Sequence, residues 1–254
     1  MRAAYTACMS RTLLELKNVT KSYGRQTALS SVSFSVQEGH VYGFVGENGA
    51  GKTTALRIIA GLARASSGSV ELFGCGSRKM LPQQRRKIGC MIERPVFDGS
   101  LCAEENLRLH ALMHGIRDFS AIPRLLERTG LGNVGSKKLR DFSLGMTQRL
   151  GIAAALVSSP ELLILDEPVN GLDPLGMIGV RKLLSSLNKD EGITILLSSH
   201  ILSELQELAS DYIFISGGRI LAAVPAAAAL CGGKTLEQYY VSLFTQGGAD
   251  RCAQ

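Results

Sequence analysis

No stretch of this 254-residue sequence is long and apolar enough to cross a bilayer. The longest apolar run, Ile220 to Cys231, is broken by Pro225 and consists mostly of alanine. Met1 to Ser10 holds one arginine and no apolar segment of the kind a secretion signal needs. A cytoplasmic chain is therefore expected, with any membrane span supplied by another subunit. The six cysteines (Cys8, Cys75, Cys90, Cys102, Cys231, Cys252) have no paired spacing, which argues against a zinc or redox motif and predicts free thiols. The net charge of +6 gathers in two short clusters, Arg85-Arg86-Lys87 and Lys137-Lys138-Leu139-Arg140. Neither has interleaved aromatics, so a solvated surface is expected and nucleic acid is not. Internal repeats, low-complexity tracts and long linkers are missing as well.

What is present is an ordinary globular composition, 45% hydrophobic and 20% charged, able to bury a sizeable core. The length fits one large α/β domain or two small ones. Strand-like patterns occur at Leu13–Leu16, Val32–Val36 and Val41–Val45, with a turn-rich Ser22-Tyr23-Gly24 between the first two. A glycine-rich loop and a helix over about Lys52–Leu62 follow. The middle, from about Pro95 to Ser159, reads as helical: Leu107, Leu109, Leu112 and Ile116 mark one helix, and Ile122, Leu125, Leu126 and Leu131 a second. A third is expected over Leu150–Val157. Apolar runs without alternation at Leu162–Leu165, Ile193–Leu197 and Tyr212–Ile215 predict parallel strands covered on both faces. A short amphipathic segment, Leu236–Phe244, predicts a helix packed on the core.

Gly46-Glu47-Asn48-Gly49-Ala50-Gly51-Lys52-Thr53 fits G-x-x-x-x-G-K-[ST] between a strand and a helix. Glycines let backbone N–H groups curl around phosphate oxygens, and the helix N-terminus adds positive potential. The lysine reaches the β- and γ-phosphates, and the threonine hydroxyl suits Mg²⁺. Alone, the loop fits a GTPase, a kinase or an ATPase. Asp166 and Glu167 end an apolar strand, at the edge where α/β sheets bind ligands. Beside a phosphate loop, Asp166 is placed to hold Mg²⁺ and Glu167 to act as base toward an attacking water. His200, after the next strand, either reaches the γ-phosphate or caps the helix starting at Ile201.

These elements occur together with Phe142-Ser143-Leu144-Gly145-Met146-Thr147-Gln148-Arg149-Leu150 and, further on, Asn170-Gly171-Leu172-Asp173-Pro174. The first resembles the ABC signature motif and the second the D-loop. In this order with the phosphate loop, the acidic strand and His200, they make the chain from about Leu13 to Phe244 similar to an ABC ATPase. The resemblance implies an α/β core with an antiparallel β subdomain and an inserted helical subdomain. It implies one ATPase domain over 12–245, with the helical insert at about 95–159, an N-terminal extension 1–11 and a C-terminal tail 246–254.

By the same resemblance, ATP is bound by Tyr23, stacking on adenine, and by Gly46, Glu47, Asn48, Gly49, Ala50, Gly51, Lys52, Thr53 and Thr54. Lys52, Glu167 and His200 are the catalytic set, and Thr53, Asp166 and Glu93 the Mg²⁺ set. Ser143, Leu144, Gly145 and Met146 would meet the ATP of a second ATPase subunit, expected to be another copy, with Asp173 communicating across the interface. Glu93 stands where the family usually has the Q-loop glutamine that couples to the membrane subunit, and Leu144 and Met146 replace the usual glycine and glutamine of the signature. Glu93 with Pro95, and Ser-Leu-Gly-Met-x-Gln-Arg, resemble the subfamily of bacitracin and lantibiotic self-immunity exporters. The expectation is an exporter's ATPase, serving peptide-antibiotic, lantibiotic or multidrug export and self-immunity, peripheral on the inner face of the membrane and attached to permease subunits on separate chains. The competing class is a soluble ABC ATPase acting on ribosomes or DNA. Those on ribosomes usually carry two such domains and those on DNA a long coiled-coil insertion, and neither is present here.

Overall fold

The computed structural model describes residues 11–93 and 95–249, the last five by their backbone. The expected N-terminal extension before Arg11, Cys8, Cys252 and the end of the tail lie outside the described residues. β1 (Thr12–Tyr23) and β2 (Gln26–Gln37) form an antiparallel hairpin. Its turn passes through Gly24 at φ +58°, a left-handed conformation that glycine takes without strain. Both strands run well beyond the apolar segments visible in the sequence. β3 (Val41–Val45) follows, then α1 (Lys52–Ala60) and β4 (Ser67–Leu72), which pairs with β1 to complete a small sheet of order β2-β1-β4.

Although β3 directly follows that hairpin in sequence, it belongs to the second sheet. Along the chain come α2 (Leu81–Gln84), β5 (Ile88–Met91), α3 (Ala103–Met113), α4 (Ile122–Arg128), α5 (Leu144–Leu156) and β6 (Leu162–Asp166). They are followed by α6 (Pro174–Lys189), β7 (Thr194–Ser199), α7 (Leu202–Leu208), β8 (Asp211–Ser216), β9 (Arg219–Pro225), α8 (Ala226–Ala229) and α9 (Leu236–Ala249). The order is β5-β6-β7-β3-β8-β9, parallel through β8 and closed by the antiparallel β9. This is a mixed α/β architecture with an antiparallel subdomain and a helical insert.

The absence of alternation in β6 and β7 follows from their position. Leu163, Leu165, Ile195 and Leu197 face a core shared with α3 to α7 and α9, whereas Leu162, Ile164 and Leu196 face a second core shared with α1 and the small sheet. Both faces are dry, so the run Leu162–Leu165 and the run Ile195–Leu197 are apolar throughout. β5 adds a tight contact: a methyl group built on Gly89 would lie 2.1 Å from the Ala155 carbonyl oxygen on α5. Gly89→Ala is expected to push β5 and α5 apart at a cost of about 1–3 kcal/mol or more. A thermal melt unchanged from wild type would contradict that packing.

The helical insert follows the expected helices with corrections: α3 ends at Met113 and α4 at Arg128, so Ile116 and Leu131 lie beyond them. In α3 the buried face is Ala103, Asn106, Leu107 and Ala111, while Leu109 and Leu112 are half exposed. Asn106 is buried because its amide bonds the Asp98 and Cys102 carbonyls, which fixes the entry loop. The third helix starts at Leu144, six residues before the expected Leu150, with Ser143 as its N-cap accepting from the Met146 N–H. In the C-terminal segment, α9 extends past Phe244 to Ala249, and its Tyr239 and Tyr240 rings lie 5.4 and 5.9 Å from Phe214 on β8. Such ring pairs contribute about 0.5–1.5 kcal/mol each beyond burial.

Candidate functional site

The register of the larger sheet builds the site. β6 and β7 pair so that Asp166 stands opposite Ser198, and β3 and β7 pair Val45 with Ser199. The carboxyl ends of the three adjacent strands therefore deliver the phosphate loop, the acid pair and His200 to one edge. The loop turns into α1 through Gly51, at φ +108°, where a methyl group would lie 2.7 Å from the Ala28 carbonyl oxygen. That close approach requires glycine. No side chain caps α1, so the orphan N–H groups of its first turn remain free to meet an anion.

Lys52 is buried, 6% exposed, and its Nζ donates to the carbonyl oxygens of Gly46 (2.6 Å) and Glu47 (3.2 Å). It lies 3.8 Å from Glu167 Oε1. Thr53 Oγ1 donates to Asp166 Oδ2 at 2.8 Å. Asp166 Oδ1 accepts from Ser198 Oγ at 2.6 Å, and the same hydroxyl accepts from the Glu167 N–H at 2.9 Å. Glu167 adopts φ +51°, unusual for a residue with a Cβ. Its Oε2 is 2.7 Å from His200 Nδ1, so His200 bonds the acid rather than capping a helix. The Ile201 N–H is taken by Ser199 Oγ instead.

Tyr23, Glu47, Asn48, Gly49, Gly51, Lys52, Thr53, Thr54 and Glu167 share one cleft of about 440 Å³. Tyr23 is half exposed, with the Lys21 ammonium 4.6 Å from its ring centroid. Gly46 and Ala50 are buried and are not among the residues lining the cleft. Leu144, Glu93, Asp166 and Glu167 border a neighbouring cavity of about 250 Å³, where Glu93 contacts Arg57. Ser143, Gly145 and Met146 are not among the residues lining either cavity. Asp173 caps α6, accepting from the Gly176 N–H at 2.9 Å.

Several contributors were not read from the sequence. Gln26, Thr27 and Ala28 at the start of β2, and Gly217 and Gly218 after β8, complete the cleft wall. They are brought in by contacts between the two sheets, and no local pattern marks them. Ser198, two residues before His200, gains its role only from the pairing of β6 with β7. Ser198→Ala is expected to leave a buried carboxylate oxygen short of a charge-assisted bond, at about 1.5–3 kcal/mol. That corresponds to a fall in Tm of about 3–12 °C for a chain of this size. An unshifted melt would mean that Asp166 does not depend on this hydroxyl.

Comparison with known proteins agrees with this geometry. Residues 29–170 match the family model described as ABC transporter. The chain is 45% identical over 214 residues to the bacitracin transport ATP-binding protein BcrA of Bacillus licheniformis, covering 84% of this chain and 70% of that protein. It is 44% identical over 209 residues to the lantibiotic transport ATP-binding protein SrtF of Streptococcus pyogenes, covering 82% and 89%. Among solved structures, the dimeric post-hydrolysis state of the ATP-binding cassette MJ0796 bound to ADP and Pi is similar, with a TM-score of 0.74. The identity is 27%, covering 84% of this chain and 99% of that one.

Proposed function

We propose that this chain, which belongs to the ABC transporter family, is the energising subunit of an exporter of peptide antibiotics, bacitracin or lantibiotics being the model cargo. It binds and hydrolyses ATP. The observation that carries the reading is the convergence of the phosphate loop, Asp166, Glu167 and His200 on one sheet edge in a chain about 45% identical to a bacitracin transport ATP-binding protein. ATP lies along Tyr23 and residues 46–54, with adenine on the tyrosine ring and the phosphates in the loop. Lys52 exchanges the Gly46 and Glu47 carbonyls for phosphate oxygens.

Mg²⁺ fits the donor set present. Thr53 and Asp166 offer hard oxygens already within 2.8 Å of one another, and Glu93 borders the adjoining cavity. When bound, the ion would offset phosphate charge. Glu167 takes the proton of the attacking water while His200 orients Glu167. Ser143, Leu144, Gly145 and Met146 serve the ATP of a second subunit, and Asp173 connects the two sites. The helix N-terminus capped by Ser143 suits phosphate, and the dimeric state of MJ0796 supports the arrangement. The ATPase domain spans residues 12–245, with the insert at about 95–159 and short flanking segments.

Among the described residues no helix is long and apolar enough to cross a membrane. Permease subunits on separate chains supply the pathway in this reading, with this chain on the inner face. The test is affinity purification of the tagged chain from gently solubilised host membranes, followed by mass spectrometry. Stoichiometric recovery of one or two polytopic proteins is the expected result. Recovery only with ribosomes or nucleic acid would leave the ATPase chemistry standing and overturn the export reading.

A further inference from the structure

Three carboxylates border one cavity: Glu93, Asp166 and Glu167. Negative charges around one cavity repel each other, and each of these three has a partner of its own. Asp166 is held by Thr53 and Ser198. Glu167 bonds His200 and lies 3.8 Å from the Lys52 ammonium. The partner of Glu93 is Arg57, whose guanidinium contacts its carboxylate.

The position of Arg57 is informative. It lies on α1 four residues after Thr53, so the two side chains emerge on one face of the helix, a turn apart. Arg57 thus sits one turn beyond the hydroxyl that contacts Asp166. Glu93, held at φ +65°, lies within reach of Arg57 and borders the cavity that Asp166 enters. The Arg57–Glu93 pair is also exposed, at 38% and 58% of the two side chains. Pairs this wet bias an equilibrium by at most about fivefold. Such a bond neutralises the third carboxylate yet releases it readily to a stronger cation.

We propose that Arg57 is a positioning residue that competes with a bound divalent cation for Glu93, holding this carboxylate on α1 until the cation takes it. An uncharged amide at position 93 would need no such partner, whereas a carboxylate beside Asp166 and Glu167 does. The proposal rests on the reading of Thr53 and Asp166 as metal-holding residues. The pair then links the metal site to the segment after β5 through charge exchange, without repacking of the core.

A double-substitution cycle tests it, using Mn²⁺ as probe and the electron paramagnetic resonance signal of free Mn²⁺ as readout. The full chain is saturated with a non-hydrolysable ATP analogue. Arg57→Gln is expected to tighten Mn²⁺ binding about two- to fivefold when Glu93 is present. In the Glu93→Gln background the same substitution should leave the affinity nearly unchanged. Arg57→Lys, which keeps the charge but loses the planar fork, should fall between. Equal changes in both backgrounds would overturn the competition while leaving the metal site intact. No Mn²⁺ binding by the wild-type chain, despite bound nucleotide, would remove the metal reading of Thr53 and Asp166, and the proposal with it.

Discussion

Glu167→Gln is expected to bind ATP at least as tightly as wild type and to lose at least about 10²-fold in turnover, within the range for removal of a general base. The amide keeps the size and one acceptor oxygen of the acid, so the contact with His200 Nδ1, 2.7 Å away, survives in some form. What goes is the proton-accepting charge. No neighbour can replace it. Asp166 spends one oxygen on Thr53 and the other on Ser198, and Glu93 is engaged by Arg57 or, once a divalent cation is bound, by that cation. Binding should not suffer, because removing a negative charge 3.8 Å from Lys52 leaves the ammonium more available to phosphate. Unable to hydrolyse, the variant should accumulate as an ATP-bound dimer. Single-turnover phosphate release and size-exclusion chromatography with ATP read the two effects separately. Turnover at the wild-type rate would sink the assignment of the base. A fall in turnover without ATP-dependent dimerisation would instead fault the sandwich arrangement.

The parts of this site that were legible in the sequence are those whose chemistry is local. A phosphate loop is a contiguous backbone device, so Gly46 to Thr53 declares itself by spacing, and Asp166-Glu167 declares itself by ending an apolar run. What could not be read depends on which strands become neighbours. Val41–Val45 follows a hairpin, yet β3 lies between β7 and β8 in the other sheet, and nothing in five apolar residues says so. β5, at four residues with a glycine and an exposed cysteine, is too short to carry a pattern. Residues 219–225 present alternate half-buried and exposed alanine-rich positions that read as a broken apolar run, although they pair with β8. In α3 the leucine spacing gave the helix but not its face, because buried Asn106 takes a core position through hydrogen bonds. Arg57 illustrates the same limit at the site: its spacing from Thr53 was visible, but its partner lies 36 residues away.

Lys52→Met should separate stability from function in the opposite direction to most site substitutions. The ammonium is 6% exposed and held by two carbonyl oxygens, with a carboxylate only at 3.8 Å. Burying a charge with that degree of compensation costs free energy that an apolar side chain of similar length avoids. The nucleotide-free variant should therefore melt at or slightly above the wild-type temperature. Its loss appears with ligand. At a free ATP concentration one hundred times Kd, wild type gains about 2.7 kcal/mol, or roughly 5–10 °C in Tm. Without Lys52 the loop retains its N–H groups but not the full charge facing the β- and γ-phosphates, and at the same ATP concentration the shift should shrink to about a degree or less. Paired melts with and without ATP measure both effects. A variant that melts far below wild type would show that Lys52 is needed for the fold. An undiminished ATP shift would mean that the backbone alone holds the phosphates, leaving Lys52 to act only on the transferring γ-phosphoryl group.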